Sequence, residues 1–243
     1  MKRITPNKLA SLRSRALTPR DKAVRGEHSA RAVTWRWVLP LAVAAVAAFS
    51  APSLAKPGNA AGNSIQAKIH YCEDCHGTSA QGYRGYYPIP RLAGQQAQYL
   101  KNQLQAFINR SRPNPIMSNV AHVLRPALID AITAHFHSLH PPPIGGEPRR
   151  LVAAGRAIFE NGVPEHNVAA CAACHGPDAT GQGEIPRLAG QLYPYVVREL
   201  INWPKFRGQN PAIRGTSFIM LPVAHSLTRS EINAVAAYVS SLR

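Results

Sequence analysis

From residue 62 to the end of the chain, apolar positions recur every three or four residues, the period of a helix with one buried face. The pattern predicts six main helices, at 62–71, 95–108, 126–139, 151–161, 191–203 and 230–242, and no alternating run competes strongly as a strand. The last helix is the best marked. Ile232, Val235, Ala236, Val239 and Leu242 fall on one face, and Thr228 with Glu231 forms a Thr-x-x-Glu capping box in front of them. Pro126 suits a first helical turn, where a missing amide costs nothing. The expected fold class is all-α, with three main helices in each half.

The halves are copies of one another. Cys-x-x-Cys-His-Gly stands at 72–77 and 171–176, and Ile-Pro-Arg-Leu-Ala-Gly-Gln at 89–95 recurs letter for letter at 185–191. Ile-Met-x-x-Val-Ala-His-x-Leu stands at 116–124 and 219–227, and both halves close on Ser-Leu, at Ser138-Leu139 and Ser241-Leu242. Four blocks in one order are a tandem duplication. The spacers differ: the first half has three extra residues before Ile-Pro-Arg, and the second has seven extra before Met220. Between the copies lies a Pro/Gly-rich stretch, 141–150, which reads as a linker of limited flexibility. The expected organisation is a first domain at 56–140, the linker at 141–150 and a second domain at 151–243.

Residues 1–55 are of another kind. Ten Lys or Arg lie in the first 36 residues, a 13-residue apolar run follows from Trp37 to Phe49, and Ser53-Leu54-Ala55 gives a small-x-small exit. This is the plan of a secretory signal peptide with a long basic head. The apolar run is short for a membrane span, which takes about 20 residues; a retained segment would instead tether the protein to the membrane. The expected location is the periplasm.

The segment also carries half of the charge. The chain is +16 overall; residues 1–55 hold ten basic and two acidic groups, and residues 56–243 hold 18 and 10, a net +8 in each part. No basic stripe with interleaved aromatics appears, so nucleic acid is not an expected partner. A basic exported protein is steered instead towards acidic protein surfaces or anionic lipid headgroups, or simply carries solvated charge.

All four cysteines, Cys72, Cys75, Cys171 and Cys174, fall in Cys-x-x-Cys-His, the attachment signature of c-type haem. Disulfides or a four-cysteine zinc site would leave the two following histidines, His76 and His175, unexplained. Beyond the initiator the chain has only Met117 and Met220, at the same point of a duplicated block, where a thioether can serve as a sixth iron ligand.

Over residues 57–243 these motifs resemble the dihaem cytochrome c4 family, two class I cytochrome c domains in tandem. The resemblance implies two covalently bound haem c groups, thioether attachment through Cys72, Cys75, Cys171 and Cys174, proximal ligands His76 and His175, and distal ligands Met117 and Met220, each in the loop after its Pro-x-Leu-Ala-Gly-Gln block. It further implies that the Pro90 and Pro186 carbonyls receive hydrogen bonds from the proximal imidazoles. Arg91 and Arg187 suit haem propionates or solvent equally well. His122 and His225 read as polar residues at a loop-to-helix junction. His70, His135, His137, His140 and His166 read as ordinary polar or interfacial residues, although His135 replaces the aromatic that the second half has at Tyr238.

The function so implied is single-electron transport rather than catalysis, between a quinol-oxidising complex and a terminal oxidase, with a membrane surface as a further point of contact. Two alternatives share the motifs. One is the haem subunit that accepts electrons for a periplasmic dehydrogenase, such as a flavoprotein oxidising sulfide. The other, a dihaem peroxidase, needs one haem with an open distal side, which equivalent methionines oppose.

Overall fold

The computed structural model describes residues 58–207 and 216–243, all within one compact unit, Ser53–Arg243. The signal segment predicted at 1–55 lies outside the described residues. No helix among those described is long and apolar enough to cross a membrane.

The first half contains α1 (Gly58–His76), α2 (Ala97–Ile108), α3 (Pro115–Ala121) and α4 (Pro126–His137). A turn of 3-10 helix, Arg149–Leu151, leads into the second half: α5 (Val152–Asn161), α6 (Ala172–His175), α7 (Tyr193–Ile201), α8 (Trp203–Phe206), α9 (Met220–Ser226) and α10 (Arg229–Ser241). The described residues form no strand, only isolated bridges such as Tyr83 with Ile89.

Three elements depart from the pattern read in the sequence, each for a local reason. Helix α1 runs on through Cys-x-x-Cys-His, whereas α5 stops at Gly162 and leaves the second motif on its own short helix, α6. Gly162 has φ 75°, and a Cβ there would lie 2.2 Å from the Val168 carbonyl, so only glycine fits the turn. The helix predicted at 191–203 is broken at Asn202 and restarts as α8, because Pro204 has no N–H to continue the ladder of α7 and is tolerated only in the first turn of a new helix. The methionines, expected in loops, sit on α3 and α9; Asn114 caps α3, its side chain accepting from the Met117 N–H at 3.0 Å, and Pro115 fills the first turn.

Each half has its own core. Ile69, Leu100, Ile132 and Phe136 fill the first, with α2 against α4; Phe159, Val235, Tyr238 and Val239 fill the second, with α10 against α5 and α7. The capping box at Thr228 and Glu231 is present. Helices α5 and α10 cross very closely at Gly155, where a Cβ would lie 1.9 Å from the Ala234 carbonyl oxygen. The Tyr238 ring meets Phe159 at 5.3 Å, but its counterpart His135 has Nε2 3.8 Å from the Glu73 carboxylate. The substitution thus replaces an aromatic contact to the first helix by a polar one.

Candidate functional site

In both halves a buried histidine faces a proline carbonyl. His76 Nδ1 donates to the Pro90 oxygen at 2.8 Å, and His175 Nδ1 donates to the Pro186 oxygen at 2.9 Å. A carbonyl only accepts, so Nδ1 carries the proton and the neutral ring keeps its lone pair on Nε2. Burial holds both imidazoles below the usual histidine range, although the proline bond pulls the other way, so the rings are neutral and able to bind metal.

The loops that bring proline to histidine are themselves repeated. The Gly82 N–H donates to the His76 carbonyl at 2.8 Å, and the Gly181 N–H to that of His175 at 2.9 Å. Both glycines have positive φ, and a Cβ on either would lie 2.5 Å or less from the carbonyl of Ile89 or Ile185. Fully buried Ala80 and Ala179 each present a carbonyl to two successive amides, those of Leu92 and Ala93 or of Leu188 and Ala189. The proximal loop is therefore rigid.

No disulfide joins the cysteines, of which one is partly buried and one exposed in each pair. Burial pushes Cys72 and Cys171 up to about 11, so neither is the poised thiolate that a dithiol redox motif uses. Cys72 packs against the first core and Cys171 against the second. Neutral imidazoles with a free Nε2, thiols one helical turn away, and half-buried Met117 and Met220 on duplicated helices fit a covalently attached haem in each half.

The seam between the halves follows from the same repeat. Gln191 Oε1 accepts from the Arg91 N–H at 2.9 Å while its Nε2 donates to the Arg91 carbonyl at 3.0 Å. Gln95 does the same to Arg187, at 2.7 and 2.9 Å. Residues exchanged in this way form an isologous contact about a pseudo-twofold axis. The buried Arg91 guanidinium is occupied by the carbonyls of Ala93, Pro141 and Pro142, at 3.0, 2.7 and 3.2 Å, and so anchors the linker. Arg187 Nε donates to the Ala189 carbonyl at 3.1 Å.

Farther along the seam, α2 faces α7 across a polar cluster. Arg207 donates to Tyr99 and Gln103 at 3.1 and 3.0 Å, and Arg112 to Gln103 and Tyr195 at 2.8 and 3.0 Å. The Glu199 carboxylate takes Arg207, Arg112 and Arg198 at 2.7, 3.1 and 3.3 Å. Arg198 lies 4.8 Å over the Tyr87 ring, and Arg207 4.9 Å over Trp203. These stacks cover guanidinium nitrogens that have no hydrogen-bond partner.

Neither set of seam residues is apparent from local sequence pattern. The one available signal was that glutamine ends a block repeated letter for letter. Of the histidines, His122 bonds the Asn119 carbonyl at 2.7 Å at the end of α3, His137 bonds the Gln95 carbonyl at 2.9 Å, and His70 meets Glu73 at 3.0 Å. His166 lies 3.3 Å from Glu231.

Comparison with known proteins agrees with this architecture. The family model described as Cytochrome c matches residues 152–243. Cytochrome c-552 of Acidithiobacillus ferridurans is 37% identical over 177 residues, covering 70% of this chain and 73% of its own. A protein of Stutzerimonas stutzeri strain A1501 named thiosulfate dehydrogenase electron acceptor is 32% identical, covering 70% and 78%. Among solved structures, a cytochrome c4 of Acidithiobacillus ferrooxidans superposes with a TM-score of 0.61 at 36% identity, covering 70% of this chain and 98% of that one. The chain belongs to the dihaem cytochrome c4 family, and is an electron-transfer protein with two tandem cytochrome c domains and two covalently bound haem c groups.

Proposed function

We propose that this protein carries single electrons in the periplasm, from a quinol-oxidising complex to a terminal oxidase. In this reading Cys72 and Cys75 hold one haem and Cys171 and Cys174 the other. His76 with Met117, and His175 with Met220, supply the axial ligands. The domains are 56–140 and 151–243, joined by 141–150 after removal of 1–55. When bound, the haem iron supplies reversible one-electron exchange. The chain's own residues orient the imidazoles, exclude water from them and hold the two halves at a fixed mutual angle.

The observation that carries the reading is the pair of matched histidine–proline bonds, 2.8 and 2.9 Å, in two copies of one rigid loop. Equivalent histidines and methionines give two closed centres, as a carrier needs. The test is rapid mixing. Oxidised protein should be reduced at both haems by membranes holding a quinol-oxidising complex and quinol, and reduced protein should be reoxidised by a terminal oxidase. Failure of either half-reaction contradicts the assignment of partners.

A second reading is favoured by the 32% identity to a protein named thiosulfate dehydrogenase electron acceptor. Here the chain would accept electrons from a periplasmic dehydrogenase that oxidises a reduced sulfur compound. Reduction by thiosulfate in the presence of such a dehydrogenase, with co-purification of the enzyme, would decide for it.

A further inference from the structure

One peptide group in each half is used at both ends. Between Pro90 and Arg91, the carbonyl accepts from His76 Nδ1 at 2.8 Å and the N–H donates to Gln191 Oε1 at 2.9 Å. Between Pro186 and Arg187, the carbonyl accepts from His175 Nδ1 at 2.9 Å and the N–H donates to Gln95 Oε1 at 2.7 Å. The orientation of both side-chain amides is fixed by a further bond. Gln191 Oε1 also accepts from the Leu192 N–H at 3.0 Å, and Gln95 Oε1 from the Gln96 N–H at 2.9 Å, which only an oxygen can do. All four participants, His76, His175, Gln95 and Gln191, are buried.

The two bonds reinforce each other through the peptide. Donating its N–H draws the group towards its charge-separated resonance form, which makes the carbonyl a stronger acceptor, and the effect is largest where water is excluded. A stronger acceptor holds more of the Nδ1 proton and makes Nε2 the better donor to a metal. A more basic imidazole favours ferric over ferrous iron.

We propose that Gln191 and Gln95 are positioning residues that act across the seam, Gln191 on His76 and Gln95 on His175, each lowering the potential of the haem in the opposite half. The inference rests on the dihaem reading above. Each half thus tunes its neighbour's redox centre through a three-group chain: glutamine, peptide, imidazole. This gives the two domains a reason to stay fused in one orientation, beyond tethering.

The test uses the exported dihaem protein and its Gln191→Leu and Gln95→Leu variants, which keep side-chain volume and remove the acceptor. A haem count of two per chain is checked first, because a lower count in the wild type would overturn the dihaem reading and not this inference alone. The potential of each haem is then followed through its own NMR resonances during redox titration. The expected pattern is crossed: Gln191→Leu raises mainly the potential of the His76 haem, and Gln95→Leu mainly that of the His175 haem. A seam that is merely loosened would move both haems together or its own haem first, and either result overturns the proposal. If a leucine variant fails to assemble, the milder Gln191→Asn variant is compared with the wild type in the ferric state. The Nδ1–H resonance of His76 should shift while that of His175 stays in place. An unchanged His76 resonance overturns the proposal.

Discussion

Arg207 and Glu199 meet at 2.7 Å in the seam, and both side chains are buried. Glu199 also takes Arg112 from the first half, so one carboxylate ties α2 to α7. Its counterpart in the first half, Gln103, lies in the same cluster as a neutral acceptor. The cluster is pseudo-symmetric in Tyr99 with Tyr195 and in Arg112 with Arg207, but not in charge.

Replacing Glu199 by Gln leaves three guanidiniums without a counter-charge, and removing one partner of a buried ion pair costs about 3–5 kcal/mol. The change in denaturation midpoint on Glu199→Gln checks this. The acid response fixes the sign independently. Burial alone would raise the Glu199 carboxyl, but Arg207, Arg112 and Arg198 outweigh it and hold the group below its ordinary value. Its contribution is therefore complete above the ordinary carboxylate range and disappears as pH falls through the lower folded-state value. Stability of the Gln variant should accordingly fall less steeply with acid than that of the wild type.

Gly155 is a steric test of the second core. A methyl group there would press on the Ala234 carbonyl at 1.9 Å and on the Tyr238 Cβ at 2.9 Å. The helices must separate to admit it, and overpacking of this kind costs about 1–3 kcal/mol. Thermal unfolding of Gly155→Ala should show that loss, even though alanine is the better helix former on an isolated helix. A neutral or stabilising result would mean that α5 and α10 are not in such close contact.

Arg91 holds the linker down through the carbonyls of Pro141 and Pro142. Hydrogen bonds to a charged group contribute about 1.5–3 kcal/mol. Arg91→Ala should therefore release the linker, seen as faster limited proteolysis within 141–150 with both haems retained. An unchanged cleavage rate would show that the prolines alone keep it ordered.

The parts of the structure legible in the sequence were those with local or repeated signals. Helix α10 announced itself through Thr228, Glu231 and a five-residue apolar face, and the histidine–proline bonds were expected from the family resemblance that the paired motifs carry. The helices of Met117 and Met220 were not legible, because seven residues are too few for a period to show and Asn114 is the only side-chain cap on the pair. The extension of α1 through His76 was hidden, since the same motif in the second half is cut off by Gly162. The crossed glutamines were hidden for another reason: Gln191 and Arg91 are 100 positions apart, and no local pattern encodes a partner at that distance. Arg91 itself reads as a propionate partner or a solvated arginine, whereas in the fold it is buried with its guanidinium on the carbonyls of Ala93, Pro141 and Pro142.

In the function proposed above, each half closes one haem iron with histidine and methionine, as a carrier needs. The most direct measurement is a spectroscopic redox titration of the exported protein and of its Met117→Ala and Met220→Ala variants. The wild type should show a sulfur-to-ferric-iron absorption band worth two methionines per chain. Each variant should lose half of it, with a fall in the potential of the haem concerned. A wild-type spectrum with a high-spin haem, or variants that leave band and potential unchanged, would contradict it.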